Sequence, residues 1–205
     1  TATGLVEISR LNLNLDFVVF QYIDGLDYLA LDFGSDIEMS ADGTMLTISA
    51  PLTDKGTGAF FVFCRDKLSQ TFAFQQRLNG EEERDYFGML VSIAPDGLVV
   101  VALSRRWTDS GSLYVFSRNH LEGYFFLVQK VENQFMNCAD LNFALSADGM
   151  TLIYGSACSS SSLGGKHAVY IYSRKSRIDE FYLQQRLDGK EGEYFGYQLD
   201  VSSCG

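Results

Sequence analysis

Apolar and polar positions alternate in short runs along this chain, and the runs recur as a set. Phe33–Gly43 reads FGSDIEMSADG, and the pattern returns as FGMLVSIAPDG (Phe87–Gly97), ADLNFALSADG (Ala139–Gly149) and FGYQLDVSSCG (Phe195–Gly205). The offsets are 54, 52 and 56 positions (33 to 87, 87 to 139, 139 to 195). Within each copy the apolar pairs Ile37 and Met39, Val91 and Ile93, Phe143 and Leu145, and Leu199 and Val201 are spaced by two. A period of two predicts a strand with one face buried, and the Asp-Gly that closes three of the copies predicts a tight turn.

A second strand is predicted after each complete turn, at Thr44–Pro51, Leu98–Arg105 and Met150–Ala157. Beyond a polar, Gly-containing loop comes a third (AFFVFCR, SLYVFSR, AVYIYSR), closing on Arg65, Arg118 and Arg174, with Arg10 in the corresponding run near the start. The fourth (FAFQQRL, FFLVQKV, FYLQQRL) carries Gln76, Gln129 and Gln185 in register, and FVVFQYI sets Gln21 in the same slot. Four strands to a unit of about 50 residues predict the stacked blades of a β-propeller, since one four-stranded sheet cannot cover both of its faces. The expected fold class is all-β, a propeller segment of four-stranded antiparallel blades. Residues 1–25 supply the last two strands of a blade, 26–80, 81–133 and 134–189 three complete blades, and 190–205 the first strand of another. That layout predicts either part of a larger propeller of about six to eight blades or completion by another subunit.

The repeat resembles the FG-GAP repeat of integrin-α-like β-propellers. Phe33-Gly34, Phe87-Gly88 and Phe195-Gly196 correspond to its FG, Ser49-Ala50-Pro51 and Gly155-Ser156-Ala157 loosely to its GAP, and Tyr114-Val115-Phe116 to its YVF. Ala139-Asp140 at the third FG position and Leu103-Ser104-Arg105 in place of GAP depart from it. Phe is expected to wedge between sheets, with Gly allowing close backbone approach. The third blade should then pack less well at Ala139, or use Phe135. Some blades of the resembled family carry a calcium loop of the form DxDxDG. Thr53-Asp54-Lys55-Gly56 and Thr108-Asp109-Ser110-Gly111 hold one Asp each, too few ligands for calcium. No cofactor is expected in this chain, with calcium confined to blades outside it.

A formal net charge of -10, from 16 Lys and Arg against 26 Asp and Glu, disfavours nucleic acid as a partner. No apolar run is long enough to insert in a membrane. The acidic loop Glu81–Asp85 reads as a solvated connection, the closing arginines as surface residues lying along their strands, and His120 and His167 as surface residues. Nucleophile, metalloprotease and phosphate-loop motifs are missing, so no enzyme is expected. The Ser-rich tract reads as a flexible loop, with O-glycosylation at Ser159, Ser160, Ser161 and Ser162 as the lesser alternative.

The resemblance implies an extracellular or cell-surface structural or adhesive module that contacts proteins or glycans, or one that self-assembles into an oligomer or filament. The alternative is an accessory propeller of a secreted hydrolase whose catalytic domain lies elsewhere. Cys64 and Cys204 fall in different blades and are left unassigned, as free thiols or intermolecular links. Cys138 just precedes the first strand of its blade and Cys158 just follows the second, so the antiparallel pairing brings them within bridging reach; two buried thiols is the other reading. Non-reducing peptide mapping should recover a linked Cys138–Cys158 peptide; separate peptides would contradict the bridge.

Overall fold

The computed structural model describes residues 3–105, 111–132, 140–157, 167–190, 195–203 and 205. Fourteen strands form in chain order: β1 (Leu5–Leu11), β2 (Phe17–Asp24), β3 (Ile37–Met39), β4 (Met45–Ala50), β5 (Ala59–Cys64), β6 (Ala73–Asn79), β7 (Leu90–Ile93), β8 (Val99–Ser104), β9 (Ser112–Ser117), β10 (Phe126–Glu132), β11 (Asp140–Leu145), β12 (Thr151–Ala157), β13 (Ala168–Ser173) and β14 (Tyr182–Asp188). They make one two-stranded sheet, β1-β2, and three four-stranded sheets ordered β3-β4-β5-β6, β7-β8-β9-β10 and β11-β12-β13-β14. Each strand neighbours its successor in sequence, the antiparallel meander of a propeller blade. Among the described residues, helix is confined to single turns at Gly25–Tyr28 and Thr53–Gly56.

The chain divides into two compact units, Thr1–Val91 with Ala102–Ser104, and Ser92–Val101 with Arg105–Gly205. In the first, β4 is buried along its whole length and β5 over all but its last residue. Both side-chain faces of these strands are covered, which explains why AFFVFC is apolar throughout instead of alternating. One face packs Leu46, Ile48, Phe61 and Phe63 against Val6 and Ile23 of the β1-β2 sheet, with Phe33 and Phe72 filling the layer. In the second unit, Leu113, Val115, Phe143, Leu152 and Val169 are buried.

Two expected strands differ. Ile37 and Met39 are exposed, 44% and 45%, so the alternation in β3 covers no buried face. The physical reason is that β1-β2 provides only two strands, enough to cover β4 and β5 but not β3. Among the described residues, 195–203 hold no strand.

The Asp-Gly turns share one construction. The N–H of Gly43, Gly97 and Gly149 donates to the carbonyl three residues earlier, on Ser40, Ala94 and Ser146, with φ of 69, 70 and 72°. A side chain there would be strained, which fixes glycine at this point. The Asp beside it accepts the N–H two residues on: Thr44 to Asp42 (3.0 Å), Leu98 to Asp96 (3.0 Å), Met150 to Asp148 (2.9 Å). Ser40 and Ser146 hydroxyls donate to the same carboxylates at 2.7 and 2.6 Å.

The Ser146 hydrogen bond, reinforced by the Met150 N–H, holds the Asp148 carboxyl below its ordinary range. At Asp42 burial is the largest single effect and raises the group, but the hydrogen bonds from Ser40 and Thr44 together outweigh it and lower the carboxyl. A depressed native pKa means that stability is in hand above the unfolded value and lost as pH falls through the native one. Thermal melts should therefore show a loss of stability below about pH 4, and Asp148→Asn should flatten that acid limb. An unchanged acid limb in the variant would contradict the assignment.

Candidate functional site

The recurrent Phe-Gly and Gln positions converge on the joints between neighbouring sheets, and the recurrent Arg positions on the turns and loops within each sheet. Three kinds of joint recur, and each is described within one compact unit.

The first is the aromatic wedge. Phe33 and Phe87 are buried. Phe33 stacks 6.0 Å from Tyr28 and meets Phe61 edge-on at 5.5 Å; Phe87 lies 5.6 Å from Phe60. A loop glycine just after the preceding outer strand makes room for each. A Cβ on Gly25 would come 2.6 Å from the Phe33 Cβ, on Gly80 2.7 Å from that of Phe87, and on Gly189 2.5 Å from that of Phe195. The N–H of each of these glycines is also tied, to Gly4 O (2.9 Å), Gly58 O (3.0 Å) and His167 O (2.7 Å). Gly34 and Gly88 then donate to Ser49 O (2.9 Å) and Leu103 O (3.0 Å). Phe195 is only half-buried, and Gly196 packs toward Val169. Ala139, where the wedge is expected to be missing, and Phe135, its expected substitute, lie outside the described residues.

The second joint is an arginine clamp. The Nε of Arg65, Arg118 and Arg174 donates at 2.8 Å to the turn carbonyls of Gly43, Gly97 and Gly149. The guanidinium planes lie 4.2, 4.7 and 4.4 Å from the ring centroids of Phe72, Phe125 and Phe181. Arg65 Nη1 reaches Leu68 O, and Arg174 Nη1 reaches Arg177 O at 2.7 Å. One side chain thus pins the inner turn, the outer loop and an aromatic ring. The expectation of surface arginines is corrected: Arg118 and Arg174 are 3% and 5% exposed, because the planar fork can satisfy several carbonyls while its face covers a ring. Burial pulls the Arg174 pKa down to about 10, which leaves it charged at neutral pH.

Arg10 does not join this set. Pairing places Ile8 opposite Gln21, as Val62 is opposite Gln76, so Leu11 occupies the clamp position and Arg10 stands one residue early. It is exposed and lies over Phe20 at 4.2 Å.

The third joint is a glutamine latch. Gln21 Nε2 donates to Phe72 O (2.8 Å) while its Oε1 accepts the Phe72 N–H (2.7 Å). Gln129 does the same to Phe181, at 3.0 and 2.7 Å. One amide closes both backbone groups of a residue just before an outer strand, groups that the strand ladder leaves open. Each of these glutamines stands beside a register shift, opposite Ile8 and Val115. A bulge of that kind re-aims a side chain.

Other joints are polar. Asp36 accepts the Val91 N–H at 2.6 Å and receives the Ser49 hydroxyl on its carbonyl at 3.2 Å. Lys55 pairs with Glu83 at 2.7 Å and Arg77 with Asp54, both exposed pairs. The ammonium beside it holds the Glu83 carboxyl below its usual range. Glu81, Glu82 and Glu83 are exposed, whereas Asp85 is buried and takes the Glu82 N–H. His120 is exposed; His167 is 6% exposed and not on the surface, since its carbonyl serves the wedge at Gly189. The Cys64 thiol donates to Gln75 Oε1. Cys138, Cys158, Cys204, Asp109 and Ser159, Ser160, Ser161 and Ser162 lie outside the described residues. Among the described residues, no group of three or more His, Cys, Asp or Glu side chains could hold a metal ion.

Gly25, Gly80 and Gly189 were missed as joint residues. Their signal was present, a Gly following Asp or Asn at the end of each Gln-containing strand (IDG, LNG, LDG), but it reads as an ordinary turn until the Phe that fills it is in place.

The fold and joints define a β-propeller module, and known proteins agree. Residues 79–116, covering the second wedge through β9, match the family model of the FG-GAP repeat, so the chain carries that repeat. No curated protein matches the sequence. Among solved structures, one from Bacteroides uniformis provisionally described as a 6-phosphogluconolactonase has 16% identity and a TM-score of 0.54, over 76% of this chain and 40% of that one. A similarly described protein from Bacteroides fragilis gives 13%, 0.56, 89% and 44%; Sqt1 of Saccharomyces cerevisiae gives 9%, 0.55, 90% and 43%. At these identities the similarity shows the fold alone, and the chain spans less than half the length of those structures.

Truncating the second wedge, Phe87→Ala, should lower stability by about 3–5 kcal/mol in urea denaturation. Arg174→Ala should cost about 2 kcal/mol through the lost carbonyl bonds and ring contact. A change within about 0.5 kcal/mol in either variant would place that side chain outside the load it is assigned here.

Proposed function

We propose that this chain is a non-enzymatic structural or adhesive propeller module working at the cell surface or outside the cell, where it binds protein or glycan partners. The observation that carries the reading is the employment of the recurrent polar side chains. Arg65, Arg118 and Arg174 are occupied in tying turn to loop within their own sheets, and Gln21, Gln129 and Asp36 in holding sheets together, which leaves recognition to the loops and exposed outer strands. Such surfaces suit contact with macromolecules better than transformation of a small substrate, although the fold itself assigns no ligand.

Binding by this segment needs no calcium. In the loop where the resembled family places its acidic calcium ligands, Asp54 is paired with Arg77, and Lys55 brings a positive charge to Glu83. An acidic surface with few basic patches also keeps nucleic acid and anionic membrane away. The Cys138–Cys158 bridge belongs to this proposal, since structural disulfides persist in oxidising compartments.

The test is retention of cells of the source organism on beads carrying the 205-residue protein, with albumin beads as the blank. Retention above the blank that survives a calcium chelator is expected. Retention no greater than albumin would overturn the adhesive reading, and release by the chelator would overturn the calcium-free one.

A further inference from the structure

Asn79 is the only asparagine in the sequence that is followed by glycine. In such a pair the glycine nitrogen can attack the carbonyl carbon of the asparagine side chain, because no Cβ on the glycine stands in the way. Asn79 closes β6, opposite Ala59, and is exposed. The structure surrounds the pair with two features that act in opposite directions.

The first activates the amide. Arg77 Nε donates to Asn79 Oδ1 at 2.6 Å. The guanidinium is itself held in place: Nη2 pairs with Asp54, and Cζ lies 5.4 Å from the ring centroid of Phe61. A fixed, charged donor on Oδ1 draws electron density from Cγ and stabilises the negative charge that gathers on the oxygen as a nucleophile adds. The second feature is a brake. The Gly80 nitrogen is the attacking atom once it loses its proton, and its N–H donates to Gly58 O at 3.0 Å. Gly80 also has no room to turn, since a Cβ on it would come 2.3 Å from Thr57 O and 2.7 Å from the Phe87 Cβ. The wedge that fills the joint thereby keeps the nucleophile from its target.

We infer that Asn79-Gly80 is a self-modification site of the folded protein, activated by Arg77 and gated by the Phe87 joint. When the joint opens locally, the Gly80 nitrogen gives its proton to water and bonds to Asn79 Cγ. The Cγ–Nδ2 bond breaks, and Nδ2 takes up a proton and leaves as ammonia. Water then opens the cyclic imide that remains. Opening at Cγ leaves an aspartate at position 79; opening at the backbone carbonyl leaves an isoaspartate, joined to Gly80 through Cγ. The aspartate keeps the path of the chain and gives Arg77 a second carboxylate. The isoaspartate puts Cβ into the main chain and lengthens it by one atom where Gly80 meets Gly58 and Phe87 without slack, so the joint loosens. Only this chain and water take part, so the inference stands or falls separately from the adhesive reading.

The test is peptide mapping by mass spectrometry of the purified 205-residue protein held at mildly alkaline pH, with urea-unfolded protein alongside. An isoaspartate-specific methyltransferase tells the two products apart. Folded wild type should convert at Asn79, more slowly than the unfolded chain. Phe87→Ala loosens the joint and should speed conversion of the folded protein about tenfold or more. Arg77→Gln should slow it about tenfold or more while leaving the unfolded rate unchanged. Circular dichroism confirms folding, and Arg77→Gln decides alone if Phe87→Ala misfolds. Folded wild type in which Asn79 stays intact, a folded Phe87→Ala protein that converts no faster than wild type, or an Arg77→Gln protein that converts as fast as wild type would each overturn the proposal.

Discussion

A four-stranded sheet whose central strands are apolar on both sides must be covered on both sides. Everything else in this chain follows from that constraint. The burial of β4 on one face is achieved because the β1-β2 sheet lies against it, and burying the aromatic wedge Phe87 is worth about 2–3 kcal/mol by transfer from water. Apolar contact alone is non-directional, however, and would leave one sheet free to slide on the next. The joints remove that freedom. A glutamine amide that closes one N–H and one C=O fixes the register of sheet on sheet, and an arginine that spans an inner turn, an outer loop and a ring stiffens the sheet it belongs to.

The same constraint accounts for the allocation of charge. Burying a guanidinium is expensive unless its donors find carbonyls, and Arg118 and Arg174 find them at the glycine turns. The turns in turn depend on Asp42 and Asp148 to tie the backbone that presents those carbonyls. Charge that could have marked a binding site is thereby used for assembly, and what faces outward is mostly acidic loop and outer strand. This division underlies the adhesive reading.

Much of the fold was legible from Phe33–Gly43 and its three recurrences, because a period of two closed by Asp-Gly has few other solutions. The strand order within each blade followed from the short connections. Register at the third strand was less legible. Arg10 looks like Arg65 in a string of letters, and only the pairing of Ile8 with Gln21 shows it to be one residue early. The burial of Arg118 and Arg174 was illegible for a physical reason: charge and strand-end placement both suggest solvent, and the carbonyls that repay burial come from a turn about 20 residues away in sequence. His167 was misjudged in the same way: it is 6% exposed, and its carbonyl accepts the Gly189 N–H.

The central account is that polar side chains lock sheet to sheet through backbone groups that no ladder satisfies. Native-state amide hydrogen exchange at Phe72 and Phe181 reads this directly, because both N–H groups lie just outside β6 and β14 and, among the described residues, are held by Gln21 and Gln129 alone. The account predicts protection at both amides comparable to that of strand residues, and loss of it at Phe181 alone in Gln129→Leu. Exchange at loop rates in the unaltered protein, or protection at Phe181 that survives Gln129→Leu, would contradict it.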